Sequence, residues 1–160
     1  MQITRSEIES TGERWLFALP ATSDQISAAE RELQLAIPNE LKELLALSNG
    51  MKLPHPVIDD PVEAEEHAFE ILFGLEKQIL ETKHFRSNWL HDGEPNNVPY
   101  AVQLNQFLIV AEDGNGNSIA YSSLGREDGM WGLGLLDHET REFAPWDDYG
   151  LLDLLSDIHW

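Results

Sequence analysis

The chain has 160 residues, 42% of them apolar, enough for one domain with a substantial core and too few for two comfortable ones. The absence of cysteine excludes disulfides, thiol catalysis and thiolate metal sites. Its 29 acidic side chains against 10 basic ones give a net charge of −19, which repels nucleic acid and anionic lipid and speeds encounter with a basic protein.

The N-terminus, MQITRSEIES, lacks the basic start and apolar stretch of a signal peptide, and no long apolar run follows, so a cytoplasmic protein is expected. Ser6 and Glu9 are spaced as a capping box. Ile8, Thr11, Trp15 and Leu19 then recur at helical intervals, which predicts a first helix weakened by Gly12 and stopped at Pro20. In TSDQISAAERELQLAIP, Thr22 or Ser23 can cap a second helix with Ile26, Ala29 and Leu33 on its apolar stripe. A third helix follows Pro38 with Leu41, Leu44 and Leu45 inward, and Gly50 supplies a positive-φ stop.

Three prolines and a block of acids predict an irregular loop over MKLPHPVIDDPVEAEE. Asp59 to Glu70 carries six acids and no Lys or Arg. Phe69, Ile71 and Phe73 alternate as a strand would, and Ile79, Thr82, Phe85 and Trp89 return to helical spacing. Strands are then expected at Tyr100 to Leu104, Phe107 to Ala111, Ser118 to Ser122, Met130 to Leu136 and Arg141 to Ala144. Leu151, Leu154, Leu155 and Ile158 form the stripe of a closing amphipathic helix with Asp153 and Asp157 outward. The order predicts a single α+β domain over 1–160: N-terminal helices, a central mostly antiparallel sheet and a C-terminal amphipathic helix. Residues 1–22 are its helical extension and 52–66 its acidic, proline-rich loop.

The segment LIVAEDGNGNSIAYSS places Asp113, Asn115 and Asn117 as the early ligands of an EF-hand loop would stand. Counted from Asp113, however, the glycine and glutamate positions of such a loop hold Ser118 and Leu124. A dinucleotide-type pattern fails too, because Ile119 stands where a third glycine is required. What remains is a tight reversal between two strands. No two histidines have the four-residue helical spacing of a zinc pair, and no nucleophile elbow or Walker loop occurs. Asp137, His138 and Glu139 read as exposed turn residues. The sequence therefore names no catalytic residue, metal site or cofactor.

Trp15 and Trp89 fall on helix stripes and read as core. Trp146 stands beside Asp147 and Asp148, and Trp131 lies next to the acidic turn REDG. An aromatic flanked by carboxylates suits the docking of a basic protein, the ring supplying desolvated area and the acids supplying steering. The same residues also fit a plain structural role, Trp146 stapling the last helix and the aspartates serving its dipole.

The stretch ISAAERELQLAIPNELKELLALSNGM, Ile26 to Met51, resembles the signature of the SUKH superfamily. The likeness continues in order through FEILFGLEKQI, FLIVAEDGNGNSIAYSS, GLGLLDHETREFAPW and YGLLDLLSDI. It does not account for the N-terminal helix or for PHPVIDDPVEAEE. Members of the superfamily include bacterial immunity proteins that neutralise a cognate toxin, often a nuclease, and eukaryotic regulators of cell-wall assembly. The resemblance implies no catalytic residue, and the matched Glu30, Pro38, Asn49 and Gly50 read as structural: helix pairing, helix start and helix stop. It implies a protein partner, a basic toxin, with the acidic surface imitating nucleic-acid charge. Candidate partner-binding residues are Asp59, Asp60, Glu63, Glu65 and Glu66 in the loop, Glu112 and Asp113 in the hairpin, and Trp146 with Asp147 and Asp148. The alternative is a regulatory interaction module without a toxin partner, and the oligomeric state is left open.

Overall fold

The structure, a computed structural model, describes residues 3–10, 15–54, 69–91, 106–113, 115–122, 130–140 and 142–156. Helix α1 spans Arg5–Glu9 and is followed by a short strand, β1, at Leu16–Phe17. Helices α2 (Ser23–Leu33) and α3 (Asn39–Leu47) precede strands β2 (Met51–Leu53) and β3 (Phe69–Leu72). A long helix, α4 (Leu75–His91), leads to β4 (Leu108–Glu112), β5 (Ser118–Ser122), β6 (Gly132–Leu136) and β7 (Phe143–Pro145), and α5 (Leu151–Ser156) closes the described chain.

The first helix departs from the sequence reading. Its capping box is Thr4 with Glu7 rather than Ser6 with Glu9, and it ends at Glu9. Leu16 and Phe17, placed in the helix by the sequence reading, are strand and pair with Lys52 and Met51 of β2. Trp15 is buried as expected, but Leu19, on the predicted helical stripe, is 88% exposed. Pairing of backbone groups with β2 outweighed a stripe that only imitated helical spacing. The predicted loop likewise begins later than expected, because Met51 to Leu53 are strand and pair with Leu72, Glu70 and Phe69.

Helix α2 carries the Thr22–Gln25 capping box, and Ile26, Ala29 and Leu33 are buried. Pro38 is the N-cap of α3, whose Leu41, Leu44 and Leu45 are buried as the spacing predicts. Glu30 joins the two helices: its carboxylate accepts the Ile37 N–H at 3.0 Å and lies 2.6 Å from Lys42 Nζ. After α3 the chain turns at Gly50, whose φ is +104°. A Cβ there would sit 2.9 Å from the Gly74 nitrogen, so this close crossing requires glycine on both counts. Asn49 caps α4 from across the fold, its Oδ1 accepting the Leu75 N–H at 2.7 Å.

Among the described residues two antiparallel sheets result, ordered β1-β2-β3 and β4-β5-β6-β7. The Phe73 N–H donates to the Val110 carbonyl at 2.8 Å and ties the first to the second. The second sheet is covered on both faces, which explains the unbroken apolar run FLIVA. Leu108, Tyr121 and Leu133 belong to the main core with α2, α3 and α5, while Ile109, Ala120, Leu136 and Phe143 form a smaller cluster with Phe73 and Phe107. A bulge at Val110, between Ile109 and Ala111, interrupts the register with β5. The Ile109 N–H donates to the buried Thr82 hydroxyl of α4 at 3.0 Å.

Candidate docking surface

The candidate residues fall at three places. Asp59, Asp60, Glu63, Glu65 and Glu66 lie outside the described residues, as do Tyr100 to Leu104, Ile158 and Trp160. Glu112 and Asp113 lie where β4 turns into β5, and Trp146 to Asp148 lie just after β7.

At the β4–β5 turn, Asp113 is committed to the loop itself. Its Oδ1 accepts the N–H groups of Asn115 and Asn117 at 2.8 and 3.0 Å, and its Oδ2 accepts from the Asn117 side chain at 2.7 Å. Burial opposes its ionisation, yet the bonds from Asn117 and Asn115 outweigh that and hold the carboxyl below the ordinary aspartate value. Gly116 takes a φ of +92°, as a tight reversal requires. The loop is thus the turn that the sequence suggested. It is locked to its neighbour, because Asn117 Oδ1 accepts the His138 N–H at 3.1 Å and lies 2.9 Å from the His138 ring Nδ1.

The neighbouring turn between β6 and β7 repeats the device. Asp137 Oδ1 accepts the N–H groups of Glu139 and Thr140, both at 2.8 Å, and these bonds lower its pKa. Glu112, Glu139 and Glu142 remain exposed around the two turns. They form one acidic end of the sheet, since Glu112 pairs with Ser118, Ser118 with Leu136, and Leu136 with Phe143.

Trp146 occupies the other end. Its N–H donates to the Leu133 carbonyl at 2.9 Å, and Leu133 pairs with Tyr121 and Tyr121 with Leu108. Four residues of strand, about 13 Å, separate that level from Glu112, so the structure does not bring the two clusters together. Trp146 is half-buried against the main core and meets Tyr149 edge to face at 5.0 Å. Asp147 and Asp148 are exposed, and Asp148 adopts a left-handed φ of 55°. They do not cap α5. Asp153 does that work, its Oδ2 accepting the Gly150 N–H at 2.8 Å.

A cleft of about 360 Å³ lies beside this end, lined by Ile3, Glu40, Glu43 and the start of α5. Its carboxylates serve the fold. Glu40 accepts the buried Tyr121 hydroxyl at 2.9 Å and the Leu151 N–H at 2.7 Å, and Glu43 accepts the Ile3 N–H at 3.1 Å. Burial, reinforced by Glu40, pushes the Tyr121 phenol far above its ordinary value, so it stays a donor. Sequence reasoning missed these long-range pairs and the Asn49 cap, because no local pattern distinguishes a carboxylate that will reach a backbone N–H 111 residues away. Among the described residues no group of three or more His, Asp or Glu is placed to hold a metal, and no helix is long and apolar enough to cross a membrane.

Helices on antiparallel sheets, with a closing helix, define an α+β domain in which Glu30, Pro38, Asn49 and Gly50 join or turn elements. The profile of the SMI1 / KNR4 family (SUKH-1) matches residues 20–148, and the chain belongs to that family. A search for similar curated proteins returned no match. Membership supports a toxin-immunity or related regulatory role, roles that are generally non-catalytic in this family.

Proposed function

We propose that the protein is an immunity protein that binds a basic toxin in the cytoplasm and neutralises it by stoichiometric occlusion, without catalysis of its own. One observation carries the reading beyond family membership. From Glu112 onward the sequence carries eleven acidic side chains against only Arg126 and Arg141. Earlier in the chain, by contrast, cations are drawn into the protein's own structure: Arg5 pairs with Glu9, Lys42 with Glu30 and Lys83 with Glu32.

A toxin that holds phosphate, such as a nuclease, presents a basic surface to this C-terminal region, and the excess of carboxylates steers it there. The loop acids Asp59, Asp60, Glu63, Glu65 and Glu66 add to the same field. The test is a calorimetric titration of the protein into the product of its neighbouring gene, at low and moderate salt, with that product's toxic activity assayed alongside. One-to-one binding that abolishes activity is expected. Absence of binding would overturn the immunity reading and favour a regulatory module with another partner.

A further inference from the structure

We propose that Met130, Trp131, Trp146 and Tyr149, rimmed by Asp147 and Asp148, form the anchor site for an arginine or lysine side chain of a basic protein partner. The proposal rests on the reading of the chain as a partner-binding immunity protein and assigns that binding its centre. Trp131 immediately precedes β6, two residues before Leu133, so the pleat puts both side chains on one face. Trp146 stands opposite Leu133, because its N–H bonds the Leu133 carbonyl. Trp131 and Trp146 are therefore diagonal cross-strand neighbours, about 7 Å apart and within reach of aromatic side chains. Both pack partly on the same core cluster, as does Tyr149. Met130, beside them, is 64% exposed.

Three features make this corner an anchor rather than a covered edge of the core. Its rings are held from behind by the core and, for Trp146, by the edge-to-face contact with Tyr149, so docking onto them costs little side-chain entropy. The partly exposed indoles and the thioether offer the aromatic and methionine surface enriched at the centres of protein interfaces. The rim fixes the sign of the guest. Asp147 and Asp148 are exposed carboxylates beside the rings, and a guanidinium or ammonium group over an indole face gains from the ring as well.

The test has two arms, both on the full chain. In the first, a capped Gly-Arg-Gly peptide is titrated while the five indole N–H signals are followed by NMR, Trp131 and Trp146 being assigned through Trp131→Phe and Trp146→Phe. Saturable shifts at those two indoles are expected, with affinity falling about tenfold in Asp147→Asn/Asp148→Asn. Asp24→Asn/Glu76→Gln, an equal charge change on α2 and α4, should move affinity less than about twofold. Equal losses in the two pairs, or unmoved indoles, would overturn the anchor. In the second arm the neighbouring gene's product is titrated against the same variants and Met130→Ser, with melts establishing that each is folded. Selective loss in the corner variants supports the proposal. Unchanged binding there overturns the corner while leaving the immunity reading in place. A neighbouring product that binds no variant overturns the immunity reading alone, and the peptide arm then decides the corner.

Discussion

Glu30 shows how one side chain can hold two helices in register. Its carboxylate lies between the Ile37 N–H and Lys42, and the hydrogen bond from Lys42 is the main reason its pKa is lowered despite partial burial. Replacing it by glutamine should destabilise the fold by about 1–2 kcal/mol at pH 7, measured by urea unfolding. Because the folded value is depressed, this stabilisation is complete above the ordinary glutamate value of 4.5 and is lost as pH falls through the lower folded value. The gap between the protein and Glu30→Gln should therefore close in acid. A gap unchanged at pH 3 would assign the effect to packing instead. Gly50 gives a second case: Gly50→Ala must strain a φ of +104° and push a Cβ to 2.9 Å from the Gly74 backbone nitrogen. A loss of about 2–3 kcal/mol in the same assay is expected. Gly50 was legible from its own context as a positive-φ stop, and Glu30 as helix pairing only through the family resemblance. Asn49 was legible only in part, because its bond to Leu75 depends on a crossing that local sequence does not encode.

Elements were legible where stripe, cap and turn chemistry agreed. The α2 and α3 stripes, the β4–β5 reversal and the leucine face of α5 all form as their spacing requires, with Leu151, Leu154 and Leu155 buried. The failures came where pairing partners decide. Leu16–Phe17 and Met51–Leu53 are two- and three-residue strands, too short for their spacing to distinguish strand from loop, that form because they have pairing partners. The β4–β5 hairpin makes a prediction at this scale. Asp113→Ala removes three bonds within the turn but none of the ladder, so the unfolding free energy should fall by about 1–2 kcal/mol without loss of the sheet. Hydrogen exchange should quicken at Asn115 and Asn117, and at His138 through the Asn117 clasp, while Ile119 to Tyr121 keep their protection. General loss of protection across β5 would mean that the turn sets the strand register, a larger role than its local bonds suggest.

For the whole molecule, charge acts in opposite directions on folding and on association. A net charge of −19 opposes the compact state by self-repulsion, and the imbalance is uneven, since Arg126 and Arg141 are the sole cations from Glu112 onward in the sequence. Screening should relieve that repulsion, so raising salt from about 0.05 to 0.5 M should raise the melting temperature. The same salt shortens the reach of the acidic field and should slow association with a basic partner, on the order of tenfold or more, with a smaller change in dissociation rate. Asp59, Asp60, Glu65 and Glu66 contribute to that field if their loop faces the incoming partner. Replacing them by Asn and Gln should then flatten the salt dependence of the association rate while also raising the melting temperature at low salt. An association rate that kept its salt slope while the melting temperature rose would make the loop a source of general repulsion with no part in steering. The steering would then belong to carboxylates whose positions are described, with Glu112, Glu139 and Glu142 at one end of the sheet and Asp147 and Asp148 at the other.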